Sequence, residues 1–320
     1  MLLLKTGSTG DQVSQLQQRL TDLQFYSGPV DGTYSDDVSS AVSAFQTSRG
    51  LSVDGKVGPN TWNALFPPPP NPSLAAMPLG ERCLAVTGSL ETSKLVPEYF
   101  SGLAGNFDGQ GISFGALQWN LGQGTLQPLL NKMLSDSPDV MANAFGDGFD
   151  SLKTMLAGQK SAQLAWAQSI QDASGKAVAE PWKSRFVALG QTAEFQAIEI
   201  AAADKYRQKG EQLFGRFGLT TERAMALMFD IAVQNGDISG DVEALIRQDY
   251  AAIPDGTDPL QAEVLKMQAV ANRRAEAANP KFVEDVRTRK LMIANGVGVV
   301  HGFHYDLESQ FAIRLATISA

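Results

Sequence analysis

The sequence predicts a mainly α-helical protein of two modules: a small three-helix domain, then a larger, mostly helical domain with one small β-hairpin. Three observations predict it. Apolar residues recur every three or four positions along much of the 320 residues, which lines them up on one helix face. Strand-like segments are scarce, the clearest being ISFGALQW at 112–119. A proline run, PPPPNPS at 67–73, interrupts the pattern, and consecutive prolines favour an extended, semi-rigid spacer. The expected division is a domain at 1–66, a linker at 67–73 and a domain at 74–320.

The elements follow in order. Val13, Leu16, Leu20 and Leu23 mark a first helix, and Val38, Val42 and Phe45 a second. Ser35 or Asp36 can cap the second. A third covers PNTWNALF, with Pro59 near its start, where a missing N–H costs little. The segment also repeats itself. VDGTY at 30–34 precedes DDVSSAVSAFQ, and VDGKV at 53–57 precedes PNTWNALF. Each unit is an Asp-Gly turn followed by a helix.

GSTGDQVSQLQQRL followed by VDGTYSDDVSSAVSAFQTSRGLSVDGKVGPNTW resembles the peptidoglycan-binding domain type 1 family over nearly all of residues 5–66. The resemblance implies noncatalytic binding to bacterial cell-wall peptidoglycan glycan strands. By analogy the groove lies near the 31–34 turn, with Asp31 and Tyr34 as substrate-binding residues. Tyr34 is the better candidate, because sugars stack on exposed aromatic faces. The blander reading is that Asp31, Asp54 and the glycines shape turns.

The larger module reads as helix through SAQLAWAQSIQDA, AEFQAIEIAAADKYRQKGEQLF and ERAMALMFDIAVQN. Its chemistry concentrates between 88 and 120. Glu91 ends a helix running through ERCLAVTGSLE, among Leu84, Val86 and Leu90. Asp108 sits in the polar turn NFDGQG. Hydrolysis of a glycosidic bond needs one carboxyl group to protonate the leaving oxygen and a second to steer water or bond to the sugar. One acid in apolar surroundings and one in a polar turn lets two carboxyl groups take different roles. The Ser113 hydroxyl can hold a water for Asp108, and the amides of Gln118 and Asn120, alternating on the strand, suit N-acetyl groups. Read singly, Glu91 is a helix-end glutamate and Asp108 a turn former.

The ordered set AVTGSLETS (85–93) and DGQGISFGALQWNLGQGTL (108–126) resembles the catalytic region of family 46 chitosanases, members of the lysozyme-like superfamily. FDIAVQNG at 229–236 is similar to a helix lining that family's core. The resemblance implies a lysozyme-like α+β domain with Glu91 as general acid and Asp108 as general base. Ser113 takes the place of a water-positioning threonine. Chitosanases bind a deacetylated, cationic chain through acidic residues. The amides here and the attached wall-binding module point instead to a muramidase that cuts between N-acetylmuramic acid and N-acetylglucosamine. The alternatives are a lytic transglycosylase, a chitosanase-like glycosidase and a noncatalytic wall-binding protein.

Composition narrows the field. Charged residues make up 19% and hydrophobic ones 43%, a globular balance, and the net charge of −8 argues against a nucleic-acid face. Cys83 is the one cysteine, so no intrachain disulfide forms, and its apolar helix marks a buried thiol. His301 and His304 lack a third ligand for zinc, so neither metal nor cofactor is expected. Trp119, Trp166, Trp182 and Tyr99 are weighed as sugar-stacking faces, with core positions the simpler reading. Arg273, Arg274, Arg287 and Arg289 are weighed as partners of Asp204, Asp230 and Asp237. A monomer without membrane insertion is expected. MLLLKTGSTG lacks the apolar core and cleavage site of a secretory signal. The expectation is synthesis in a cytoplasm and action on the wall in the periplasm after holin-type release or injection, as in a phage endolysin or, equally on sequence, a bacterial effector delivered into a rival's periplasm.

Overall fold

Ser35 stands just ahead of two aspartates and an apolar run at helical spacing. Its hydroxyl accepts the Val38 N–H (3.3 Å), and the helix starts there. In the computed structural model, which describes residues 3–66 and 72–318, this helix (α2, Asp36–Ser48) packs with α1 (Asp11–Asp22) and α3 (Pro59–Leu65). Val13, Leu16, Leu20, Val38, Val42, Phe45 and Leu65 are fully buried between them, and Phe45 meets Phe25 edge-on at 5.5 Å. Each such side chain contributes roughly 1.5–3 kcal/mol by leaving water.

Two buried glutamines hold the repeated turns. Gln17 Oε1 accepts the Gly32 N–H (2.8 Å), and its Nε2 donates to Asp31 Oδ1 (2.8 Å) and Thr33 O (3.1 Å). Gln46 does the same one repeat later. Its Oε1 accepts the N–H groups of Asp54 (3.1 Å) and Gly55 (3.0 Å), and its Nε2 donates to Asp54 Oδ1 (2.9 Å) and Lys56 O (2.8 Å). A buried amide must find partners, and each Asp-Gly turn supplies them. The internal repeat is therefore a repeated clasp.

By compactness the described residues form two units. The first comprises residues 1–77, 219–227 and 238–320, and the second comprises residues 78–218 and 228–237. Residues 67–71 of the proline run lie outside the described residues, and a short helix, α4 (Pro72–Ala75), follows. The second unit begins with α5 (Leu79–Thr92), whose residues 82–90 are all buried. A helix buried on every side is a core helix. Next come β1 (Leu103–Ala104), β2 (Ser113–Phe114) and β3 (Trp119–Asn120). Helices α6 (Gln127–Asp136), α7 (Pro138–Phe145), α8 (Phe149–Ala157), α9 (Lys160–Ser169), α10 (Trp182–Gly190) and α11 (Ala193–Arg216) follow, and residues 228–237 complete it. Phe114 packs on Phe186 (5.1 Å) and Phe195 (5.4 Å), which ties the sheet to α10 and α11.

The expected single strand at 112–119 is two. Positive φ at Gly115 (85°) and Gln118 (50°) turns the chain, so β2 and β3 pair antiparallel, Ser113 opposite Asn120, with β1 on the outer side of β2. A second hairpin escaped the sequence reading. After α12 (Glu222–Gln234), α13 (Gly240–Ala251), α14 (Pro259–Glu276) and α15 (Val283–Asn295), β4 (Val297–Val300) pairs with β5 (Phe303–Asp306), and α16 (Leu307–Phe311) follows. Its signal was present as β-branched residues ahead of a His-Gly turn. This hairpin belongs to the first unit: Val299 packs on the three-helix core, and Asn60 Nδ2 donates to Gly302 O (3.1 Å). The mainly helical fold with small antiparallel sheets is the one expected. No helix among the described residues is long and apolar enough to cross a membrane.

Candidate active site

Helix α5 ends where Ser93 takes a left-handed conformation (φ 56°), leaving Glu91 half-buried in its last turn. Thr92 next to it donates its hydroxyl to Gly88 O (2.7 Å). A Cβ on Gly102 would lie 2.2 Å from Thr92 Cγ2 and 2.9 Å from Gln118 Nε2. The end of α5, the entry to β1 and the 115–118 turn therefore meet at a point that admits no side chain. That contact sets the Glu91 helix end against the sheet.

Asp108 is exposed, in the loop joining β1 to β2, and its Oδ1 accepts the Gln110 N–H (3.0 Å). Asn106 braces this loop. Its Oδ1 accepts the Gly111 N–H (2.7 Å), its N–H donates to Gln171 Oε1 (3.0 Å) and its Nδ2 to Gln168 Oε1 (2.8 Å). Ser113 lies across from Ala104 on one side and Asn120 on the other. Its Oγ accepts from Asn120 Nδ2 (3.0 Å), which leaves the hydroxyl proton to donate elsewhere.

The four residues expected to bind sugar do other work. Asn120 is only 6% exposed; besides bracing Ser113, its Oδ1 accepts the Gln123 N–H (2.9 Å). Gln118 lies in the turn rather than on the strand, and its Nε2 donates to Gly102 O and Gly115 O, both at 3.0 Å. The two amides therefore do not alternate on one strand face. Tyr34 is 1% exposed, and its hydroxyl donates to Gly55 O (2.9 Å). Its ring fills the three-helix core and presents no face to a sugar. Asp31 is exposed, but the Gln17 amide and the Thr33 N–H hold its carboxyl below the usual carboxylate range, the signature of a turn-shaping residue.

Sequence reasoning missed Glu199. This carboxyl group on α11 is fully buried under the 115–118 turn, and one oxygen accepts the Ala116 N–H (2.8 Å). Its other oxygen and the buried Tyr99 hydroxyl have no hydrogen-bond partner among the described residues. A Cβ on Gly115 would strike Glu199 Oε1 at 2.4 Å, so only glycine lets the turn sit on this carboxyl group. Burial drives the Glu199 carboxyl well above its ordinary value, opposed by the Ala116 N–H. The available signal was one acid within the apolar stretch AIEIAAA.

The other weighed residues resolve simply. Tyr99 and Trp119 are buried, and Trp166 and Trp182 meet edge-on at 4.9 Å, half-buried. Asp204 pairs with Arg207, Asp237 with Lys209 and Arg216, and Arg273 with Asp249 and Glu276. Asp230, fully buried, accepts the Thr87 hydroxyl (3.1 Å). Cys83 is buried. His301 pairs with Asp285 (2.5 Å), and burial lowers the His304 pKa. No group of three or more His, Cys, Asp or Glu suited to a metal ion occurs among the described residues.

Comparison with known proteins bears on the N-terminal module. Residues 9–65 match the family described as "Putative peptidoglycan binding domain". The N-acetylmuramoyl-L-alanine amidase CwlM of Mycobacterium tuberculosis is 44% identical over 57 residues, which is 18% of this chain and 14% of that protein. The spore cortex-lytic enzyme of Bacillus subtilis is 42% identical over 65 residues, 20% of this chain and 21% of that one. The chain thus spans well under a quarter of the length of either relative. Among solved structures, a co-crystal structure of chitosanase OU01 with substrate aligns at TM-score 0.45 and 17% identity, covering 72% of this chain and 97% of that one. Residues 9–65 belong to the peptidoglycan-binding domain family, as their Asp-Gly, Ala-Phe-Gln and Thr-Trp motifs implied.

Proposed function

We propose that this protein is a peptidoglycan hydrolase of the muramidase type, with Glu91 as general acid and Asp108 as general base. One observation carries the reading. A single chain joins a peptidoglycan-binding domain to a unit in which a helix-end glutamate, an exposed aspartate and an oriented serine hydroxyl border one small sheet.

In this reading Glu91 gives its proton to the glycosidic oxygen as the bond from that oxygen to the anomeric carbon breaks. Asp108 takes a proton from the water whose oxygen bonds to that carbon. Ser113, whose Oγ already accepts from Asn120, offers its own proton to the same water. Asn120 is then a positioning residue. Gln118 fixes the turn that meets the helix end through its bonds to Gly102 and Gly115. A positioned acid or base contributes about 10²–10⁴-fold to such a step. The setting that fits is a phage endolysin acting as a monomer on the wall in the periplasm.

The test is Glu91→Gln in the full chain. Lysis of outer-membrane-permeabilised cells is expected to vanish while pelleting with purified sacculi persists; surviving lysis overturns the assignment. Mass spectrometry of the wild-type products checks the chemistry. Reducing muramic ends are expected, and 1,6-anhydro ends would make the enzyme a lytic transglycosylase. Preferential cleavage of a deacetylated polymer would make it a chitosanase.

A further inference from the structure

The three-helix module carries its clasp twice, and the surroundings of the two copies differ. At the first turn, Gly10 N–H donates to Gly32 O (2.9 Å), Tyr34 N–H to Ser8 O (2.9 Å) and Gly7 N–H to Tyr34 O (3.0 Å). Residues 7–10 therefore cover that turn. The second turn borders a cavity of about 490 Å³, the size of a small-ligand site. Asp54, Lys56, Pro59 and Asn60 line it from the module, and Val299 and Gly302 line it from the β4–β5 hairpin.

The lining is amphipathic, with hydrogen-bonding capacity to spare. The clasp uses Asp54 Oδ1, and among the described residues nothing bonds to Oδ2. Asn60 spends its Nδ2 on Gly302 O and keeps its amide oxygen. Lys56 is exposed and makes no ion pair among the described residues. Pro59 and Val299 supply apolar surface. A pyranose ring offers the complement: an apolar C–H face, and a rim of hydroxyl and acetamido groups that both donate and accept.

We propose that the glycan-binding groove of this module lies at the second Asp-Gly turn, with the β4–β5 hairpin as one wall, and that it takes an N-acetylated disaccharide of the glycan strand. This rests on the reading that the module binds peptidoglycan. The hairpin lies some 242 positions further along the sequence than Asn60, so the groove is complete only when both segments are present.

The test is pelleting of the full chain with purified sacculi. Lys56→Glu and Asn60→Ala are each expected to weaken binding about tenfold or more. Thr33→Glu, at the matching position of the first turn, is expected to leave it within about twofold. All three positions are exposed, and melting curves check that the variants fold. If Thr33→Glu weakens binding while the other two do not, the groove lies elsewhere and wall binding still stands. If the wild-type chain fails to pellet, the wall-binding reading falls and the groove falls with it. Amide chemical shifts of the full chain, titrated with the N-acetylglucosamine–N-acetylmuramic acid disaccharide, give a second reading. Shifts are expected at 54–61 and 299–302. Their absence there while sacculi still bind, or the same shifts with free stem peptide alone, overturns the proposal.

Discussion

The Asp-Gly turns at 31 and 54 and the one at 108 share a dipeptide and differ in what surrounds it. In the three-helix module a buried glutamine amide grips each aspartate through Oδ1, and that carboxylate oxygen is spent on shaping the chain. At Asp108 the turn is braced by Asn106 instead, and among the described residues the aspartate accepts only the Gln110 N–H. The difference teaches that an Asp-Gly turn becomes a candidate for chemistry when some other residue does its structural work.

The largest expected effect tests that contrast directly. Asp108→Asn should slow wall lysis by about 10²–10⁴-fold with little change in melting temperature. The same exchange at Asp31 should leave turnover per folded molecule unchanged. If Asp108→Asn lyses cells at the wild-type rate, Asp108 is a turn former like its counterparts and the contrast collapses.

Next in size is the clasp. Gln46→Ala strands the buried Gly55 N–H and removes all four bonds to the turn, which should cost about 1–3 kcal/mol in calorimetric unfolding of the first unit. Gln17→Ala should behave alike. Wall lysis per folded molecule should survive both, since neither residue approaches Glu91 in the chemistry proposed.

The smallest effect concerns pH. The first unit holds its turns with neutral amides, whereas the second holds the 115–118 turn through the Glu199 carboxyl group. Burial raises the folded-state pKa of Glu199 above the ordinary 4.5, so the folded chain keeps a proton that the unfolded chain releases above that value. Stability from this group is therefore full below about pH 4.5 and is lost as pH rises through the folded value, by at most about 1.4 kcal/mol per pH unit. Melting temperatures between about pH 5 and 8 should fall in the wild type, and Glu199→Gln should flatten that slope. An unchanged slope in the variant would mean that Glu199 does not hold the turn as a neutral acid.

Much of this molecule was written locally. The apolar spacing of α1 and α2, the Ser35 cap, the proline at the start of α3 and the buried Cys83 all depend on neighbours within a turn or two of helix. Such features survive in a sequence read one window at a time. The helix ending just past Glu91 and the turn holding Asp108 are of this kind.

What the sequence determined by itself, then, was where helices start and stop, where the Asp-Gly turns fall, and that the first of the two modules carries peptidoglycan-binding motifs. Only the tertiary structure decided which polar groups remain available. Tyr34 reads as a ligand for sugar until its ring enters the core, and Gln118 and Asn120 read as a sugar wall until Gly102, Gly115, Ser113 and Gln123 claim them. Glu199 reaches Ala116 across 83 positions of sequence, and Asn60 reaches Gly302 across 242. The physical reason is that periodicity and capping are settled by adjacent residues, whereas a buried donor or acceptor must be satisfied by whatever the fold brings to it.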